Sequence, residues 1–176
     1  MEVDMKKLLF ILLIAVFLTG CMKSYNPPSS EDADIFLKDN RDDIDVIVDY
    51  LQSIETEGDN VFFNFSITKE TVFYDFEDHD ILSDDVKTSL RYLKSNGCEV
   101  ISMHKDDNTI YFEIWHRTMG DVGCGIACTL DGQGFPKVQF QTECKPISDG
   151  WFYYYTDYEA YRIDPSKYDE MWETQN

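Results

Sequence analysis

Beyond Gly58 the apolar residues change their spacing, and that change restricts the chain to a mixed fold. Upstream, Ile44, Ile47, Val48, Leu51 and Ile54 recur at helical intervals, with Asp42, Asp43, Asp45 and Asp49 filling the other positions. This predicts an amphipathic helix over 41–56, with Asp32–Lys38 as an earlier turn of the same helix. Downstream, Val61, Phe63, Phe65 and Ile67 alternate with Phe62, Asn64 and Ser66, as in a strand with one buried face, and 71–76 is the returning strand. The period returns to helical once more. Ser83 is a cap, Asp84 and Asp85 suit the positive helix end, Val86, Leu90 and Leu93 form an apolar face, and Asn96-Gly97 is a stop.

After Gly97 alternation dominates. Segments 98–104 and 109–116 flank a hairpin turn at Lys105-Asp-Asp-Asn108, with Ile110, Phe112 and Ile114 facing one way and Tyr111, Glu113 and Trp115 the other. Segments 122–130 and 137–143 flank Asp131-Gly-Gln-Gly134 as a second hairpin, Trp151–Tyr155 is a final strand, and Asp164-Pro165 opens a short C-terminal helix ending near Trp172. The expected fold is α+β. N-terminal helices pack on a mostly antiparallel sheet of five to seven strands, and a short helix ends the chain.

The first residues carry a different kind of information. Lys6 and Lys7 precede the apolar run Leu8–Leu18, which leads to Thr19-Gly20-Cys21. A basic start, an apolar middle and small residues before a cleavage point are the parts of an export signal. A helix of 11 residues is ~16 Å long against a hydrocarbon core of ~30 Å, too short to span a bilayer. Leu18-Thr19-Gly20-Cys21 resembles the lipobox of bacterial lipoproteins. The resemblance implies that 1–20 is a removable signal peptide, that Cys21 carries a diacylglycerol thioether, and that the mature protein sits at the cell membrane on its extracytoplasmic side. Residues 21–32, rich in Pro and Ser, then serve as a linker, and 33–176 forms a single domain.

Removing 1–20 takes away two acids (Glu2, Asp4) and two bases (Lys6, Lys7), so the mature chain keeps the full net charge of −19. That charge excludes nucleic acid as a partner, because displacing counterions from phosphates requires a basic surface. It also opposes anionic headgroups, which leaves the lipid as the hold on the membrane. Aromatic residues at 15% argue against disorder despite the charge. The segment Asp149–Arg162, with its run Trp151-Phe-Tyr-Tyr-Tyr155, resembles the ends of small uncharacterised proteins from Gram-positive bacteria, a likeness that implies no activity.

Chemistry-bearing motifs are sparse. Cys98, Cys124, Cys128 and Cys144 are even in number in an exported domain, which favours disulfides, and the second hairpin brings Cys124 toward Cys144. Neither C-x₂-C nor H-E-x-x-H occurs, so no metal ligands and no cofactor are expected. Glu77-Asp-His-Asp80 lacks the alternation and glycine of a calcium loop and reads as a solvated turn. Cys98 lies too far along its strand from His104 to form a nucleophilic pair, and His116 approaches it only in some registers. No catalytic residue is therefore assigned. Gly120, Gly123 and Gly125 mark a strand edge or bulge.

Trp151, Tyr153, Tyr155 and Tyr158 are the expected partner-binding residues, since exposed aromatics give rigid contact area at low entropic cost. The expectation is thus a non-enzymatic binding or interaction domain, of immunity or inhibitor type, meeting a protein or envelope component. The alternative is an extracytoplasmic hydrolase with an acidic active site, which a cleft gathering acids around His79 or His116 would favour.

Overall fold

A computed structural model describes residues 26–65, 70–80, 82–118, 121–132 and 134–168. The leader, Cys21, Gly120 and the expected helix end at Trp172 lie outside the described residues. Two helices come first, α1 (Ser30–Asp39) and α2 (Arg41–Ser53), followed by strands β1 (Asn60–Phe65), β2 (Glu70–Tyr74) and β3 (Glu77–His79). Helix α3 (Asp84–Ser95) precedes β4 (Val100–His104), β5 (Thr109–Arg117), β6 (Val122–Thr129), β7 (Gln141–Ser148) and β8 (Trp151–Asp157), and α4 (Tyr158–Ile163) follows. All eight strands form one antiparallel sheet in the order β3-β2-β1-β4-β5-β6-β8-β7.

The α+β architecture matches expectation, while the strand count exceeds it. The added strand is β3, the acidic segment read as a solvated turn. Asp75 and Phe76 both take positive φ, at 50° and 64°, the geometry of a two-residue hairpin turn that folds Glu77–His79 back onto β2. The helical region differs too. Asn40, at φ −117°, divides the expected single helix in two. Its side-chain amide donates to Phe36 O at 2.7 Å and its Oδ1 accepts from Asn96 Nδ2 at 2.6 Å, so polar bonds that compete with the helix are satisfied at the break. Ser29 caps α1 in a reciprocal box with Asp32, and Ser83 caps α3 as its position predicts.

The second expected hairpin is not formed. β6 pairs with β8 rather than β7, and β7 lies outside β8 at the sheet edge. The edge tolerates Pro146, which has no N–H to donate to a further strand. The expected strand at 137–143 is instead largely connection. Leu130 N donates to Asn108 O (2.9 Å), Lys137 N to the Tyr111 hydroxyl (2.9 Å) and Val138 N to Gln141 Oε1 (3.0 Å), which binds this connection down over one face of the sheet.

The helices cover the other face. Ala33 and Leu37 of α1, Ile44, Ile47 and Leu51 of α2, and Val86, Leu90 and Leu93 of α3 meet Val61, Ile101, Ile110, Phe112, Ile126 and Tyr153 of the sheet in the main core. No helix among the described residues is long and apolar enough to cross a membrane. At the C-terminus, α4 is a helix the sequence did not signal, capped by Asp157, which accepts from Ala160 N at 2.9 Å; after a break at Asp164, residues 165–168 are helical again, where the expected helix opens.

Candidate functional site

The face of the sheet without helices carries a cavity of about 220 Å³ between β4, β5, β6 and β8 and the connection that precedes β7. Its polar groups include Ser102, His104, Glu113, His116, Asp121 and Thr156, with the rings of Tyr111, Tyr154 and Phe140 around them. Tyr158 and Tyr161 pack against Phe140 at ring distances of 4.8 and 5.6 Å, so the C-terminal helix fixes one wall.

A bulge in β5 assembles the centre of the site. Glu113 pairs with Gly125, but the next paired residue, Trp115, faces Cys124, so Ile114 is extra. Before the bulge, Tyr111 and Glu113 point to the open face. After it the phase inverts: Trp115 joins the helix side and His116 turns to the open face. In a regular strand residues 113 and 116 would point to opposite sides. Here Glu113 Oε2 and His116 Nδ1 are 3.6 Å apart. The expected alternation, with Trp115 beside Tyr111 and Glu113, is corrected by this one residue.

Two glycines of β6 make room beneath. A Cβ at Gly123 would lie 2.9 Å from Glu113 Oε2, 3.2 Å from Thr156 Oγ1 and 3.5 Å from His116 Nδ1, so three polar side chains converge over a residue with no side chain. Gly123 N donates to Thr156 Oγ1 at 3.0 Å, which holds that hydroxyl in place. At Gly125 the space is filled by backbone, with Phe112 O only 2.0 Å from where a Cβ would stand. The bulge reading is therefore correct for Gly125, although β6 is an interior strand and not an edge.

Burial raises the Glu113 carboxyl above the usual carboxylate range, assisted by Glu99 and Asp121 and opposed by His116. The carboxyl thus retains a proton at higher pH than a surface glutamate, beside a group able to exchange one. Burial also holds the Tyr111 and Tyr154 phenols protonated, as hydrogen-bond donors.

The residues singled out from sequence lie largely elsewhere. The four described cysteines are free thiols. Cys124 and Cys144 do not approach each other, since β8 runs between their strands and their register partners are Tyr155 and Tyr154, which face opposite sides. Two strand spacings make roughly 10 Å, beyond the reach of a disulfide. Burial pushes the thiols of Cys124 and Cys144 up to about 12 and that of Cys128 to about 11, and raises Cys98 as well. None is poised as a thiolate nucleophile. Cys98 belongs to the helix-side core, whereas His116 is on the open face, so the two do not pair. His79 stacks on Tyr74 at 3.8 Å, with Nε2 3.2 Å from Tyr74 O, and is occupied in its hairpin.

The expectation is corrected for Trp151 and Tyr153. Trp151 and Tyr153 are 3% and 4% exposed in the main core, Tyr155 is half-buried, and Tyr158, at 37%, leans on Phe140. They build the domain more than they present a surface. The residues that sequence reading missed are Glu113, Tyr111, Tyr154 and Thr156, and the signal pointing toward them was Gly123-x-Gly125 within an otherwise apolar strand. Comparison with protein-family models, with curated proteins and with solved structures finds no match, so the chemistry of this cavity is the basis for reading its role.

Proposed function

We propose that the chain is an extracytoplasmic, membrane-tethered lipoprotein whose domain binds a small cationic or hydrogen-bond-donating ligand in the open-face cavity. The lipobox resemblance of Leu18–Cys21 supports the tether. The observation that carries the binding role is the convergence of Glu113, His116 and Thr156 over Gly123 in a hollow with no Lys or Arg among its described lining residues. Carboxylates and tyrosine faces together favour a positive or donor-rich ligand. The volume of about 220 Å³ equals roughly seven waters at ~30 Å³ each, which suits a small ligand such as an amine or amino acid.

The test is thermal denaturation of the full chain against a panel of amines, amino acids and sugars. A ligand present at a hundred times its Kd stabilises by ~2.7 kcal/mol, so a true ligand shifts the midpoint clearly. Glu113→Gln and Tyr154→Phe are expected to abolish that shift while preserving the fold. A shift unchanged in both variants would place the ligand elsewhere.

A second reading is supported by the same pair. A protonatable carboxyl beside an imidazole is equipment for general acid–base hydrolysis, and the cleft gathers Asp121 near His116 as that reading requires. Turnover of an ester, peptide or glycoside substrate, abolished by Glu113→Gln, would establish the hydrolase.

A further inference from the structure

We propose a divalent-cation site at the tip of the β4–β5 hairpin, formed by His104, Asp106 and Asp107, at the rim of the cavity. One imidazole nitrogen and one oxygen from each carboxylate lie within 4.8 Å of one another, close enough for a single ion to gather all three. The cluster thus combines nitrogen and oxygen donors on one tight turn.

The independent sign of a missing partner is at Asp107. Its Oδ2 accepts from the Tyr111 hydroxyl at 2.7 Å, while its Oδ1 is shut off from solvent and has no hydrogen-bond partner. Buried carboxylate oxygens are almost always paired, because desolvating one without a partner is costly. The lysine within the turn does not fill the need, since Lys105 Nζ donates to Ile54 O at 3.1 Å. A cation bridging Asp107 Oδ1, Asp106 and His104 would satisfy that oxygen.

The surroundings resemble the outer shell of a metal site. Tyr111 fixes Asp107, and its own oxygen accepts from Lys137 N at 2.9 Å. The His104 ring lies against Tyr111 at 4.7 Å and Phe62 at 6.4 Å, which limits its rotation. One imidazole and two carboxylates suit a borderline ion of the zinc class better than calcium or magnesium, which take oxygen ligands. Three protein ligands leave positions for water or for an incoming group. His104 and Tyr111 also line the cavity, so the proposed site adjoins it. The site does not depend on the cavity's binding a small ligand.

The experiment is titration calorimetry of the chelator-stripped full chain in detergent with Zn²⁺, and with Ca²⁺ in parallel. One Zn²⁺ is expected to bind saturably and more tightly than Ca²⁺. His104→Gln and Asp107→Asn should each weaken it at least tenfold, and His79→Gln should bind as the parent does. If Asp107→Asn fails to fold, His104→Gln decides alone. Cobalt substitution distinguishes the thiols as ligands, and d–d bands without sulfur-to-metal charge transfer are expected. Absence of saturable zinc binding, tighter binding of calcium, unchanged affinity in His104→Gln, or a thiolate charge-transfer band would each overturn the proposal.

Discussion

Gly123 and Gly125 stand two residues apart on one strand, yet a methyl group at each meets different resistance. At Gly125 the obstacle is the Phe112 carbonyl, 2.0 Å from the new carbon, and backbone held by two neighbouring strands cannot withdraw. Gly125→Ala is therefore expected to lose ~3 kcal/mol or more, the upper end of overpacking costs, in urea denaturation. At Gly123 the obstacles are the ends of Glu113, Thr156 and His116, which can swing aside. Gly123→Ala should lose about 1 kcal/mol or less but displace the carboxyl–imidazole pair and with it ligand binding. Glu113 has a pH signature of its own. Its folded carboxyl titrates above the unfolded one because it is buried, with Glu99 and Asp121 nearby and His116 opposing. It therefore contributes stability below the unfolded carboxyl range and loses it as pH rises through its folded value. Glu113→Gln removes that loss, so the variant's stability relative to the parent should rise with pH above about 4.5 and then level off. Denaturation curves from pH 4 to 8 check this, and a pH-independent difference would contradict it. The two glycines were visible in the sequence as a sign of close approach, but the side chains they admit were not, because those come from β5 and β8.

Elements defined by local chemistry were legible, and those defined by distant pairing were not. Ser83, Asn96 and Gly97 bound α3 as capping rules require, and the Lys105–Asn108 turn forces β4 and β5 together whatever else happens. The order β6-β8-β7 has no such local signal. Asp131–Gly134 reads as a hairpin turn, but the connection instead lies across Tyr111, and Trp151–Tyr155 buries more apolar surface beside β6 than residues 137–143 would. The residues of β5 itself give no sign of its bulge, which only Gly125 on the neighbouring strand marks, since Ile114 keeps the apolar alternation that the backbone then breaks. The α1–α2 junction shows how one polar residue can join elements. Asn40 is 4% exposed and bonds the end of α1 to the end of α3 through Asn96. Asn40→Ala removes two side-chain hydrogen bonds, but the backbone N–H of residue 40 still donates to Phe36 O at 3.1 Å and Asn96 is exposed, so the loss is that of ordinary hydrogen bonds, about 1 kcal/mol each. The expected outcome is a lower urea midpoint with an unchanged slope, lowered little further when Asn96→Ala is added. A double variant as unstable as the sum of the singles would show that the two amides are not coupled.

At the scale of the whole molecule, charge and the proposed attachment would set the conditions under which the site works. With a net charge of −19 the folded chain repels itself, and salt should relieve the strain. Between about 0.01 M and about 0.15 M salt the screening length falls from about 30 Å to about 8 Å, so the thermal midpoint should rise over that range. A midpoint that falls would mean that attractive pairs such as Arg91–Glu70 outweigh the repulsion. The segment that would follow the proposed tether joins the domain on the side away from the cavity. Pro28 O accepts from the Tyr153 hydroxyl at 3.1 Å, and Tyr153 belongs to the helix-side core, whereas Glu113 and His116 open on the other face. From Cys21 to Asn26 five residues span at most ~18 Å, so a lipid on Cys21 would lie close to Asn26. Anchoring and binding should therefore be separable. If Cys21 carries two acyl chains, as its lipobox implies, each buried methylene contributes ~0.8 kcal/mol and the anchor is durable. Cys21→Ser is expected to move the protein from the membrane fraction to the soluble fraction, or leave it unprocessed, while any ligand-induced thermal shift in the purified variant stays as in the parent. Tight membrane association of a normally processed Cys21→Ser protein would end the lipoprotein reading, and loss of the thermal shift would mean that the N-terminal segment, through Pro28 and Tyr153, helps to shape the site on the opposite face.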